Sequence, residues 1–249
     1  PYAAPDAIGP PVLEIRGAGN DRLHDIDLIV RQGEIVGIAG LEGSGRTELA
    51  RAIFGVDPFT QGHITLHGAA VHFSHPRQAI RAGLGFLTED RKTEGLVLAH
   101  SIADNALLAL RAIAGSARNG NDHARVVHQA RRVDLRAAGP HQEVRYLSGG
   151  NQQKVVLMKW LLSGARLFIF DEPTRGIDVG AKAGIHELMR ELANAGAAIL
   201  MISSELPEVI GMSDRILVMR GGTIAGELPA GADERQIMAL AARVGETAA

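Results

Sequence analysis

Three short stretches of this chain combine the residue types that phosphate chemistry uses. The first is Gly40-Leu41-Glu42-Gly43-Ser44-Gly45-Arg46-Thr47, which has the spacing of a P-loop. In such a loop glycines let successive backbone N–H groups converge on phosphates at the positive end of a helix. Thr47 offers a hydroxyl to magnesium. Arg46 stands where lysine is usual, keeping the charge on a bulkier, planar group. Taken alone, the stretch serves equally well as a strand-to-helix turn without ligand. The second stretch, Leu167-Phe168-Ile169-Phe170-Asp171-Glu172-Pro173, is an apolar strand ending in two carboxylates. Beside a P-loop, Asp171 would face magnesium through water and Glu172 the water that attacks phosphorus; the plain alternative is an acidic strand end capping a helix. The third, Leu147-Ser148-Gly149-Gly150-Asn151, opens an amphipathic helix reaching about Leu162. A serine alone makes an N-cap, whereas two glycines after it cost helix propensity and suggest that something approaches the backbone closely.

These groups need rigid elements to hold them. Val12 to Arg16 and His24 to Val30 read as strands, the second alternating as a half-buried antiparallel strand does. Ile35 to Ala39 is apolar throughout, as a strand covered on both faces is, and runs into the glycine loop and a helix from Arg46 to Phe54. Short strands follow at Ile64 to Leu66 and Leu84 to Thr88. Between Ser101 and Arg136 strand signals vanish, and two helices are predicted, Ile102 to Ile113 and Asp122 to Arg136, around a loop at Gly115 to Gly120. Strands return at Leu167 to Phe170, Ala197 to Ser203, Arg215 to Met219 and Thr223 to Leu228. A helix from Val179 to Ala195 sits where a crossover joining parallel strands belongs. The reading is an α/β nucleotide-binding core with an antiparallel β subdomain and an inserted helical subdomain.

Composition narrows the class. With 249 residues, 46% apolar and 4% aromatic, the chain can bury a sizeable core made of Leu, Ile, Val and Ala. Its net charge of −2 offers no basic field for nucleic acid. No apolar run reaches the roughly 18 to 20 residues of a membrane span, so any membrane association is expected to be peripheral. The absence of cysteine excludes disulfides, thiol nucleophiles and Cys-ligated metals, and fits a reducing compartment. The opening Pro1-Tyr2-Ala3-Ala4-Pro5, with Pro10-Pro11, reads as a linker over residues 1–11 cut from something longer, and residues 12–245 as one domain with its helical part at about 100–163.

The order of P-loop, helical insert, LSGGN, FIFDEP and Gly176-Ile177-Asp178 resembles an ABC-transporter ATPase. GLEGSGRTE, Thr88-Glu89-Asp90-Arg91-Lys92, DEPTRGIDVGAK and Ile202-Ser203-Ser204-Glu205-Leu206 narrow the likeness to the C-terminal half of the tandem ATPases of monosaccharide importers, of ribose, galactose, xylose or arabinose type. The resemblance implies a P-loop NTPase core and ATP with magnesium as cofactors. Nucleotide would be bound by Gly40, Glu42, Gly43, Ser44, Gly45, Arg46, Thr47 and Glu48. Ser148, Gly149, Gly150, Asn151 and Asp178 would serve nucleotide across a head-to-tail pair. Thr47, Asp171 and Glu89 would support magnesium, and Glu172 and Ser204 would occupy the catalytic positions. The implied partners are an N-terminal ATPase domain of the same longer chain or a second copy, integral membrane permease subunits and, indirectly, a periplasmic sugar-binding protein. A permease helix would dock beside the helical insert and the Glu89 loop. The implied location is the cytoplasmic face of the inner (plasma) membrane, held peripherally.

Four departures from the family's pattern touch the chain's own site: Arg46 for lysine, Glu89 for the Q-loop glutamine, Ser204 for the switch histidine, and no aromatic between Tyr2 and Phe54 to stack on adenine. A positioned acid or base is worth roughly 100- to 10,000-fold in rate, so Ser204 predicts slow hydrolysis even with Glu172 present. Two other functions compete with sugar import: a non-transport ABC ATPase acting on nucleic acid or ribosomes, and a pseudo-ATPase that never binds ATP. Against the former stand the charge and the missing zinc cysteines. Arg131, Arg132 and Arg136 are expected to share a solvated helix face. His63 and His67, or His72 and His75, are expected to be surface histidines, not metal ligands, and Met158 and Trp160 to lie in the core.

Overall fold

Residues 8–114 and 121–242 are described by a computed structural model of the chain. The expected linker lies outside these residues up to position 7, as does the expected loop Gly115 to Gly120. Residues 9 and 10 already belong to the fold, because the Gly9 N–H donates to the Gln32 carbonyl and the Gln32 N–H to that of Pro10. Strand β1 then starts at Pro11.

An antiparallel sheet forms from β1 (Pro11–Gly19), β2 (Ile26–Arg31), β4 (Gln61–Leu66) and β5 (Ala69–Val71), in the order β2-β1-β4-β5. Leu13 pairs with Val30 on one side and Leu66 on the other, which puts the alternating apolar residues of three strands on one buried face. The second sheet has six strands in the order β10-β9-β3-β8-β7-β6. These are β3 (Ile35–Gly40), β6 (Leu84–Leu87), β7 (Leu167–Asp171), β8 (Ala198–Ile202), β9 (Arg215–Arg220) and β10 (Thr223–Pro229). All but β10 run parallel. The near-continuous burial of β3, β6, β7 and β8 follows from coverage on both faces.

The P-loop follows β3 and leads into α1 (Arg46–Ile53), and α6 (Val179–Asn194) crosses from β7 to β8. Between β6 and β7 lie α3 (Ile102–Ala114), α4 (Asp122–Arg132) and α5 (Gly149–Ser163). Helix α4 stops four residues before its predicted end. Asp134 turns left-handed at φ 48, with Leu135 N–H bonded to the Ala130 carbonyl and Asp134 N–H to that of Arg131, a Schellman cap built without glycine. Arg136 therefore lies off the helix, and the three arginines do not share a helix face, although all three are exposed.

The sequence reading passed over β5, α2 (Pro76–Arg81), a five-residue π-helical turn (Arg91–Gly95), α7 (Leu206–Met212) and α8 (Glu234–Ala242). Their start signals are present. Pro76 and Pro207 lie in the first turns of α2 and α7, and Asp233 and Gln236 exchange side-chain-to-backbone bonds of 2.8 and 2.9 Å, a capping box before α8. The core is aliphatic, with Phe54 packed on Phe86 and Trp160 at 5.3 and 5.6 Å between ring centres. Met158 and Trp160 are buried in it.

Candidate functional site

The carboxyl ends of the parallel strands meet the start of α1 at a cleft of about 520 Å³. Residues 40–48, Glu89, Glu172, Arg175 and Ser204 line it, with Glu205, Leu206, Ile237, Met238 and Ala241 closing one side. Gly43 and Gly45 take φ of 73° and 104°, a left-handed geometry that a Cβ would strain. A Cβ on Gly43 would meet nothing within 4 Å, so that backbone faces open space on the cleft side. No side chain caps α1. Its first N–H groups are thus left for whatever enters the cleft.

Asp171 ends β7, one strand removed from β3, and is fully buried behind the cleft wall. Neither of its carboxylate oxygens has a hydrogen-bond partner in the protein, and the buried Ser44 hydroxyl is orphaned too. Burial pushes the Asp171 carboxyl up to about 7, against the pull of the Arg46 charge and of the Thr47 hydroxyl, which lies nearby without completing a hydrogen bond. Unpaired buried oxygens beside a hydroxyl and a phosphate-sized cleft are the donor set a hard divalent cation uses. The residues present therefore fit a magnesium–nucleotide complex.

Glu172 sits at φ 51, a left-handed strain for a side-chain-bearing residue, which projects its carboxylate into the cleft while Asp171 stays behind. Its Oε2 accepts a 3.0 Å bond from the Ser204 hydroxyl. Burial raises its carboxyl, and the Ser204 bond and the Arg46 charge hold that rise back. The Arg46 guanidinium donates to the Ser203 carbonyl at the end of β8 at 2.8 Å. It is thereby moored beside both carboxylates. Glu89 lines the cleft but is ion-paired with Arg175, a residue the sequence reading did not single out, so its charge is neutralised as it stands.

The remaining predicted residues gather elsewhere. Ser148, Gly150, Asn151 and Asp178 line a second cleft of about 470 Å³ that shares no residue with the first. Ser148 caps α5 through the Asn151 N–H at 3.5 Å and also accepts a 3.0 Å bond from the Asn151 side-chain amide, and Asp178 caps α6 through the Ala181 N–H at 3.0 Å. The two glycines are explained from within the chain. A Cβ on Gly149 would lie 2.7 Å from the Arg91 guanidinium and 2.9 Å from the Gly176 carbonyl, and one on Gly150 would lie 2.7 Å from the Ala181 methyl group. The close approach expected at this backbone is thus made by the protein itself. Ile237, Met238 and Ala241 were also missed as cleft residues, the capping box before α8 being their sequence signal, and Leu206, the first residue of α7, was named only as the end of the Ile202 to Leu206 motif. His63, His67, His72 and His75 are exposed, and the described residues contain no metal-binding cluster of three or more His, Asp or Glu.

Comparison with known proteins agrees with this geometry. The ABC transporter family model matches residues 23–175. Ribose import ATP-binding protein RbsA 1 of Rubrobacter xylanophilus is 52% identical over 246 residues, covering 96% of this chain and 49% of that protein. RbsA of Bacillus subtilis is 46% identical over 242 residues, covering 94% and 49%. The chain spans about half the length of the curated relatives it matches. Among solved structures, the dimeric post-hydrolysis state of the ATP-binding cassette MJ0796 bound to ADP and Pi aligns with a TM-score of 0.76 at 19% identity, over 89% of this chain and 100% of that one. The ADP conformation of the cassette MJ1267 aligns at 0.78 and 18% identity, over 93% and 98%. At such low identity these two establish the fold, and together with the matched family model they mean that this chain belongs to the ABC transporter family.

Proposed function

We propose that the chain is the C-terminal nucleotide-binding half of a tandem ATPase that energises a sugar importer. In this reading it binds magnesium-ATP at its P-loop, hydrolyses it weakly, and offers the start of α5 to a more competent N-terminal partner domain. The observation that carries nucleotide binding is the buried, unpartnered Asp171 carboxylate behind an uncapped P-loop helix. The half-length match to ribose import ATP-binding proteins supports sugar as the cargo and makes ribose the first substrate to test.

Thr47 and Asp171 would hold magnesium, whose charge offsets that of the β- and γ-phosphates when it is bound. The first N–H groups of α1 receive the phosphates, and Arg46 supplies fixed positive charge beside them. Glu172 holds the attacking water and takes its proton. Ser204 orients that carboxylate but carries no charge of its own to place on the γ-phosphate, which is why turnover here is slow. Glu89, now paired with Arg175, would be the further carboxylate available to support the magnesium. Ser148 and Asn151, on the second cleft, act on nucleotide held by the partner domain. Permease subunits and a periplasmic sugar-binding protein complete the assembly, with this chain peripheral at the cytoplasmic face of the inner membrane; no helix among the described residues is long and apolar enough to cross it.

The test is Glu172→Gln in the intact transporter, measuring transport-coupled ATPase. Activity should fall by no more than ~10-fold, against at least ~100-fold when the partner's corresponding carboxylate is removed. Equal collapse in both variants refutes the division of labour.

A further inference from the structure

The π-helical turn that follows Glu89 is gripped at both ends. Asp90 caps it through the Lys92 and Thr93 N–H groups, and Arg91, its first residue, reaches out of it. One Arg91 nitrogen donates to the Arg175 carbonyl at 2.8 Å and the other to the Gly176 carbonyl at 3.2 Å. Its Nε is buried and has no partner. The same guanidinium lies against Gly149, where a Cβ would sit 2.7 Å from it. The Arg175 side chain in turn pairs with Glu89, two residues before Arg91. The segments 89–91 and 175–176 are thus closed into a ring, and the first turn of α5 rests on that ring. At the far end of the turn, the Gly95 carbonyl accepts a 2.7 Å bond from the buried Lys159 ammonium, also on α5. Helix α5 therefore touches both ends of a five-residue turn whose leading segment lines the P-loop cleft. Departures from α-helical bonding of this kind concentrate where function has shaped a chain.

We propose that Arg91 is a positioning residue for hydrolysis: its guanidinium locks segment 175–176 and the first turn of α5 into one register, so that a change at Glu89 in this chain's cleft is passed to Ser148 and Asn151. Arg91 touches no nucleotide in this account. A planar, two-armed donor is required because two adjacent carbonyls must be held at once while a glycine packs on the group's edge. A lysine ammonium has three donors but neither the fixed fork that holds both carbonyls in register nor the planar edge on which Gly149 packs. The proposal rests on the composite-site reading above.

The test uses the intact protein assembled with its permease. Arg91→Ala should lower kcat by roughly 10- to 100-fold, the cost of misplacing a catalytic array by about an ångström, while KM and magnesium-ATP binding change by less than ~3-fold. Added methylguanidinium should restore part of the lost kcat to Arg91→Ala and none to a Ser148→Arg control. Arg91→Lys should fall between the two and serves as the working variant if the alanine chain does not fold. A kcat within ~2-fold of wild type for both Arg91 variants overturns the proposal. So does a loss of kcat and nucleotide binding in parallel that methylguanidinium does not relieve, since that marks a merely structural group. Full activity in the Ser148→Arg control refutes the composite site itself, an outcome distinguishable from failure of Arg91 alone.

Discussion

At the residue scale the site is a set of charges arranged to neutralise one another until ligand arrives. Arg46 stands beside Asp171 and Glu172, and Arg175 holds Glu89. The arginine at the usual lysine position does not fill the P-loop; it is moored to the Ser203 carbonyl on the neighbouring strand end. In the proposed function the weak point is Ser204. Its hydroxyl is spent on Glu172 at 3.0 Å and places no cation near the γ-phosphate position. Ser204→His should therefore raise this site's own turnover by ~10-fold or more, measured as single-site hydrolysis in a protein whose partner carboxylate has been removed. An unchanged rate would mean that the absent histidine is not what limits this half. Position and residue type made Ser204 and Glu89 legible as departures in the one-dimensional pattern. Their present partners were not, since Glu172 lies 32 residues from Ser204 and Arg175 lies far along the chain from Glu89.

At the element scale, α5 sets the geometry. It carries Ser148 at its start, ends on Gly164 in a left-handed Schellman cap, and buries Lys159 midway. The ammonium donates to the Gly95 carbonyl and lies 4.6 Å from the Trp160 ring centre, yet burial still pulls its pKa down to about 8. Its ordinary value is 10.5, so the folded chain sheds this proton before the unfolded chain does. Below about pH 8 both states are charged and the folded state bears the whole cost of burying the ammonium. Between the two values that cost is progressively relieved, and stability from this group rises with pH. Relative to a Lys159→Met variant, wild type should gain about 2 kcal/mol between pH ~7 and ~9.5 in denaturant unfolding. A flat difference would place the ammonium in water. Helix ends divide in the same way: Gly164 announces the end of α5, whereas Asp134 ends α4 with the same hydrogen bonds and no glycine to announce them.

At the scale of the whole molecule, the two clefts share no residue, and the proposed function makes each of them half of a site completed by a partner domain. The P-loop cleft holds donors for phosphate, and the second cleft holds Ser148 and Asn151 with no P-loop of its own. Ser148→Arg in the intact protein should cut hydrolysis at the partner's P-loop by at least ~100-fold while leaving magnesium-ATP binding to this chain unchanged, read by titration calorimetry beside steady-state ATPase. Equal loss of both would unite the two clefts and refute the composite arrangement.

Spacing along the chain by itself determined the P-loop, the buried strand that ends in Asp171 and Glu172, and the serine-led start of α5, because each is a local pattern of glycine, apolar run and cap. It also pointed to one parallel pair, β7 and β8, through apolar strands separated by a crossover-length helix. Only the tertiary structure decided that Gly149 and Gly150 make room for Arg91, Gly176 and Ala181, that Glu89 is tied to Arg175, and that α8 walls the nucleotide cleft. Those are contacts between segments far apart in sequence, made only once the strands have taken their order in the sheet. Local propensity carries no record of them.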